Sequence, residues 1–89
     1  MKLKDGLVIT PINDKYVLVD TGVISPRFNG IIKLNDTSKF IVELIKKEDL
    51  SMEQIINKVL EKYEGDESII RNSVIKTIEQ LEKVNLIAE

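Results

Sequence analysis

The chain has no cysteine, no histidine and no tryptophan, and only two phenylalanines and two tyrosines in 89 residues. Without thiols or imidazoles there is no zinc finger, iron–sulfur cluster, Cys or Ser–His nucleophilic centre or disulfide framework. A metal would rest on carboxylates and carbonyls alone, and no dense acidic loop of the EF-hand kind occurs. Catalysis by this chain is therefore not expected, and neither is a cofactor. Excess positive charge is also missing. Thirteen Lys and Arg face 15 Asp and Glu, for a formal net charge of −2. Domains that coat nucleic acid are usually basic, because phosphate contacts supply most of their affinity. No apolar run approaches the roughly 20 residues of a membrane-spanning helix. The segment Met1-Lys2-Leu3-Lys4-Asp5-Gly6 lacks the apolar stretch of a signal peptide. The expected address is cytoplasmic.

What is present is ordinary for a globular fold: 43% hydrophobic and 31% charged residues, enough for one small domain over residues 1–89. The character of the chain changes once, near Leu34-Asn35-Asp36. Before that point β-branched residues alternate with turn formers. Leu7-Val8-Ile9-Thr10 reads as a short strand, followed by Pro11 and the turn signal Asn13-Asp14. Tyr16 to Asp20 reads as a second strand closed by Thr21-Gly22, and Ser25-Pro26 punctuates the next stretch. Asn29-Gly30, between Phe28 and Ile31-Ile32-Lys33-Leu34, is the strongest hairpin signal in the chain.

After Leu34 the period becomes helical. Asn35 or Asp36 caps a first helix carrying Phe40, Ile41, Leu44 and Ile45 on one face and ending at Lys46-Lys47. Ser51-Met52-Glu53-Gln54 is a capping box, with Leu50 and Ile55 spaced as a hydrophobic staple. Met52, Ile55, Ile56, Val59, Leu60 and Tyr63 follow at helical spacing until Gly65 ends the segment. Asp66 opens a third helix with the stripe Ile70, Val74, Ile78 and Leu81, and Asn85 is its left-handed cap before Leu86-Ile87. The expected fold is α+β and winged-helix-like: a small N-terminal antiparallel sheet of three or four short strands, then three helices around one core.

Two features invite a functional reading. The exposed side of the third helix would present Asn72, Lys76, Glu79, Gln80 and Lys83, where a winged helix would meet DNA. Glu79 and Glu82 repel phosphate, and a mixed-charge solvated face explains the same residues. The other feature is the strand Ile31 to Leu34. At a sheet edge its unpaired N–H and C=O groups would be a template for an extended peptide. Buried on both flanks, it would be plain core. A third possibility is self-pairing through that edge, giving a homodimer.

The stretch Phe28-Asn29-Gly30-Ile31-Ile32-Lys33-Leu34-Asn35-Asp36-Thr37, with its Leu-Asn-x-Thr junction, resembles the PqqD family, the pyrroloquinoline quinone biosynthesis D proteins and their stand-alone relatives. The similarity continues through Phe40, Glu43, Leu44, Ser51-x-x-Gln54-Ile55, Leu60 and Tyr63 to Leu86-Ile87. The resemblance implies a RiPP recognition element. Such a module binds the leader of a ribosomally made precursor peptide by strand addition, presents it to a modifying enzyme, commonly a radical SAM protein, and performs no chemistry itself. Carried onto this sequence, the peptide-binding residues are Ile31, Ile32, Lys33 and Leu34 on the strand, with Ile70, Ser73, Val74 and Thr77 on the third helix. The chain departs from the family pattern at Ser73, where Asp is frequent, and at Thr77, where a larger apolar or aromatic residue is frequent. It also departs at Val42, frequently Trp, and at Asn85, frequently Gly. Ser73 and Thr77 would shrink one groove wall and remove a charge.

Overall fold

The computed structural model describes residues 1–20 and 31–88. The turn signals at Thr21-Gly22, Ser25-Pro26 and Asn29-Gly30 lie outside the described residues. The elements run β1 (Lys2–Leu3), β2 (Leu7–Ile12), β3 (Lys15–Asp20), β4 (Ile31–Leu34), α1 (Asp36–Lys47), α2 (Met52–Lys62), α3 (Glu67–Lys83) and β5 (Ile87–Ala88). The fold is α+β, a small antiparallel sheet followed by three helices, as the change of period at Leu34 predicts.

Strands β2, β3 and β4 form one antiparallel sheet in that order, and β1 pairs with β5 in a separate two-stranded ribbon. The strand expected over Leu7 to Thr10 is two residues longer, because β2 continues through Pro11 to Ile12, with Pro11 opposite Tyr16. The reason is local. Ile12 and Lys15 close a two-residue turn over Asn13 and Asp14, with Asn13 at φ 55°. In such a hairpin the closing pair exchanges both of its main-chain bonds, and bonded and non-bonded pairs then alternate. Pro11 falls on a non-bonded pair, where its nitrogen faces away from β3 and no ladder bond is lost. Because β2 is an edge strand, the proline is tolerated.

Each helix is capped by side chains near its start. Asn35 caps α1 by accepting from the Ser38 N–H at 2.8 Å, while the Ser38 hydroxyl accepts from the Asn35 N–H at 2.8 Å. Ser51 and Gln54 make the same reciprocal box on α2, at 3.1 and 2.8 Å. Asp66 caps α3 by accepting from the Ser68 and Ile69 N–H groups. Helix α2 ends before Gly65, since Tyr63 already has extended backbone. Gly65 then takes φ 155°, a conformation L side chains rarely adopt. At the end of α3, Asn85 sits at φ 63° and donates to the Glu82 carbonyl, while Leu86 donates to the Leu81 carbonyl. This bond pair is the Schellman arrangement, so the expected left-handed cap at Asn85 is found.

One core joins these elements. Ile41, Val42 and Ile45 of α1, Ile55, Ile56 and Val59 of α2, and Val74, Ile78 and Leu81 of α3 bury against one another and against Leu18 and Leu34 of the sheet. Each large side chain hidden this way contributes roughly 1.5–3 kcal/mol relative to exposure. Leu50 and Ile55, the staple pair, are both buried in this cluster. The ribbon closes the far side, where Leu3 and Ile87 are buried and Leu50 donates to the Met1 carbonyl at 2.9 Å. Arg71 ties α3 to α2 through its guanidinium, which donates to Glu53 at 2.6 and 3.3 Å. This contact holds the Glu53 carboxyl below the usual carboxylate range and pushes the Arg71 guanidinium up.

Candidate functional site

The sheet order leaves two edges, β2 and β4, and chemistry distinguishes them. Strand β4 pairs with β3 in the register Tyr16↔Leu34, Val17↔Lys33, Leu18↔Ile32 and Val19↔Ile31. Alternation carried across from the turn directs the main-chain groups of Lys15, Val17 and Val19 toward β2 and those of Tyr16 and Leu18 toward β4. Leu34 and Ile32 therefore make the bonds to β3, while the N–H and C=O groups of Lys33 and Ile31 face outward. Among the described residues no strand pairs with that outer side. The template stops at Asn35, whose N–H is taken by the Ser38 hydroxyl. On the other edge the outward positions are Leu7, Ile9 and Pro11, and Pro11 has no N–H to offer. Proline on an edge is a common device against unwanted pairing. Among the described residues, strand addition is thus blunted at β2 and open at β4.

Side chains on β4 alternate as the pleat requires. Leu34 is buried at 7% exposure and Ile32 is half-buried against the core, both on the helix side, whereas Lys33 is exposed on the opposite face. The principal helix contact of β4 is with α1, which succeeds it directly in the chain, and α3 packs on α2 and α1. Ile70 is half-buried against the same core cluster as Ile32. Ser73 and Thr77 are also half-buried, one helical turn apart, and the Thr77 hydroxyl donates to the Ser73 carbonyl at 2.9 Å. That bond keeps the hydroxyl on its own helix. Val74 is fully buried and supports this flank from inside. Arg71 and its bond to Glu53 tie one flank of α3 to α2, and by helical spacing Ser73 and Thr77 lie on the other flank, while Ile70 packs beneath the Gly65 turn between the two helices.

One residue on this flank is missing from the set the sequence pattern picks out. Ile69, four residues before Ser73, is 69% exposed. It lies one position outside the apolar stripe, and an isoleucine off the stripe is the signal that could have found it. The DNA-facing alternative gains nothing: Asn72, Lys76, Glu79, Gln80 and Lys83 are all exposed, but they carry mixed charge. Among the described residues no cluster of acidic side chains could hold a metal ion, and no helix is long and apolar enough to cross a membrane.

These features define a winged-helix-like α+β domain in which, among the described residues, β4 is a sheet edge without a strand on its outer side. The family profile described as Coenzyme PQQ synthesis protein D (PqqD) matches residues 15–87, and the chain belongs to that family. Two solved structures share the fold. One, "TbiB1 in Complex with the TbiA(beta) Leader Peptide", has a TM-score of 0.70 at 20% identity and covers 100% of both chains. The other, "Lasso peptide synthetase B1 complexed with the leader peptide", has a TM-score of 0.70 at 16% identity and covers 99% of this chain and 96% of its own. No curated protein matches the sequence. Neither the family nor these structures lend support to DNA binding.

Proposed function

We propose that the chain is a RiPP recognition element that captures an extended segment of a precursor peptide's leader along the outer side of β4. The observation that carries this reading is the row of Ile31 and Lys33 main-chain groups on which, among the described residues, no strand pairs, in a fold shared with two leader-bound structures. Strand addition derives affinity from main-chain bonds and selectivity from pockets for alternate side chains. Ile32 and Leu34 form the strand side of the site, and Ile70, Ser73 and Thr77, backed by Val74, form the helix side. With no thiol or imidazole in the chain, the modification chemistry belongs to a partner enzyme, for which a radical SAM protein is the proposed class. The cytoplasm, where precursor peptides are made, is the proposed site of action.

The test is a titration of isotopically labelled protein with the product of a short open reading frame neighbouring the gene. Amides of residues 31–34 and 70–77 shift on binding. Shifts confined to other surfaces, or none at millimolar peptide, would overturn the proposal. Light scattering on the free protein at dilute concentration separates leader capture from self-pairing of β4 edges.

A further inference from the structure

The phase of the β4 ladder bears on which peptides the edge accepts. Lys33 lies on the face of the sheet away from the helices, in the cross-strand row Thr10, Val17, Lys33. Thr10 and Val17 are uncharged, and among the described residues the Lys33 ammonium has no ion-pair partner. Asp14, Lys15 and Asp36 line the same shallow depression as Lys33, yet neither carboxylate reaches it. The next lysine along, Lys39, is already engaged, 3.8 Å from Glu43 and over the Tyr16 ring. Among the described residues Lys33 is therefore a cation without an ion-pair partner, at the last outward-facing position of the proposed docking edge before Asn35.

Resting on the strand-addition reading, we infer that Lys33 selects an acidic residue at the position of the captured segment directly opposite it. A strand added to this edge bonds to the outward main-chain groups of Lys33; an antiparallel strand exchanges both bonds through the residue directly opposite, and a parallel one bonds through the two residues that flank it. The opposite residue's side chain projects on the same face as Lys33, with Cβ atoms about 5 Å apart. Its two neighbours project the other way, onto the side of Ile32 and Leu34. The period of two holds for either strand direction. The preferred segment reads apolar–acidic–apolar, the carboxylate meeting Lys33 and the apolar pair covering the uncovered part of Ile32.

The probes are three capped nonapeptides that differ only at the centre, Leu-Glu-Leu, Leu-Gln-Leu and Leu-Lys-Leu, each flanked by Val, Thr and Ser. They are titrated while the β4 amides are followed. The Glu peptide binds about fivefold tighter than the Lys peptide, the sum of one favourable and one unfavourable cross-strand charge pair. High salt narrows the gap. Lys33→Glu reverses the order and Lys33→Gln flattens it, and circular dichroism checks that both variants stay folded. If β4 amides shift equally with all three peptides, or the order ignores Lys33→Glu, the charge selection is wrong while strand addition stands. If none of the peptides moves those amides, strand addition falls and this inference with it.

Discussion

The assignment of outward and inward main-chain groups on β4 leads to a paired perturbation, Lys33→Pro and Ile32→Pro. The two positions are adjacent in the same strand, but their nitrogens face opposite ways. At Lys33 the N–H bonds nothing within the sheet, so proline removes no ladder bond. Its fixed φ suits an edge strand, and stability falls by no more than about 1 kcal/mol. At Ile32 the N–H donates toward Leu18, which is fully buried. Proline there removes that bond, leaves the Leu18 carbonyl unpaired and pushes the strands apart, together about 2–4 kcal/mol. Peptide binding responds in the reverse order. Lys33→Pro deletes the donor for the incoming strand and places a ring in its path. One lost bond and one unsatisfied ligand carbonyl cost about 2–3 kcal/mol, or roughly 30- to 150-fold in Kd. Denaturant midpoints and a peptide titration measure the two effects, with Lys33→Ala as the control for loss of the side chain. A larger loss of stability for Lys33→Pro than for Ile32→Pro would show that the ladder phase is reversed. Unchanged affinity of Lys33→Pro relative to Lys33→Ala would show that the ligand does not pair with this edge.

Other consequences concern the scaffold. Ile78→Ala, at the fully buried middle of α3, lowers stability by about 2–5 kcal/mol in urea or guanidinium titrations, the usual range for emptying such a site. Asn35→Ala removes the acceptor for the Ser38 N–H and costs about 1 kcal/mol, read as a lower thermal midpoint. The Arg71 guanidinium depresses the Glu53 carboxyl, so this contact stabilises above the ordinary carboxylate range and its contribution fades as pH falls through the lowered folded value. The thermal advantage of the wild type over Glu53→Gln is therefore present at neutral pH and disappears in strong acid. A gap that stays constant across pH would count against the ion pair as its source.

Much of the fold is legible in the sequence because helices announce themselves locally. The boxes Asn35/Ser38 and Ser51/Gln54, the Asp66 cap and the Asn85 terminus each satisfy main-chain groups within one turn of sequence. The strands are less legible, because their bonds go to partners that a linear pattern does not identify. The strand run is read only as far as Thr10 in the linear pattern, since the tolerance of Pro11 depends on which side of β2 faces β3. The ribbon of β1 with β5 joins residues at opposite ends of the chain, and Lys2–Leu3 is too short to show a period of two. Ile70 and Val74 look equivalent on the stripe, yet Val74 is wholly interior and Ile70 is not.

From sequence alone came the class of fold, the helix boundaries to within a few residues, the absence of thiol and imidazole groups, and Ile31 to Leu34 as the strand to watch. Only the tertiary structure decided that this strand is an edge, that Lys33 and Ile31 carry its outward bonds, and that Pro11 blunts the opposite edge. Side-chain identity sets local periodicity and capping. Which main-chain groups remain unpaired depends on the register between strands, and register is settled by turn geometry and the shared core.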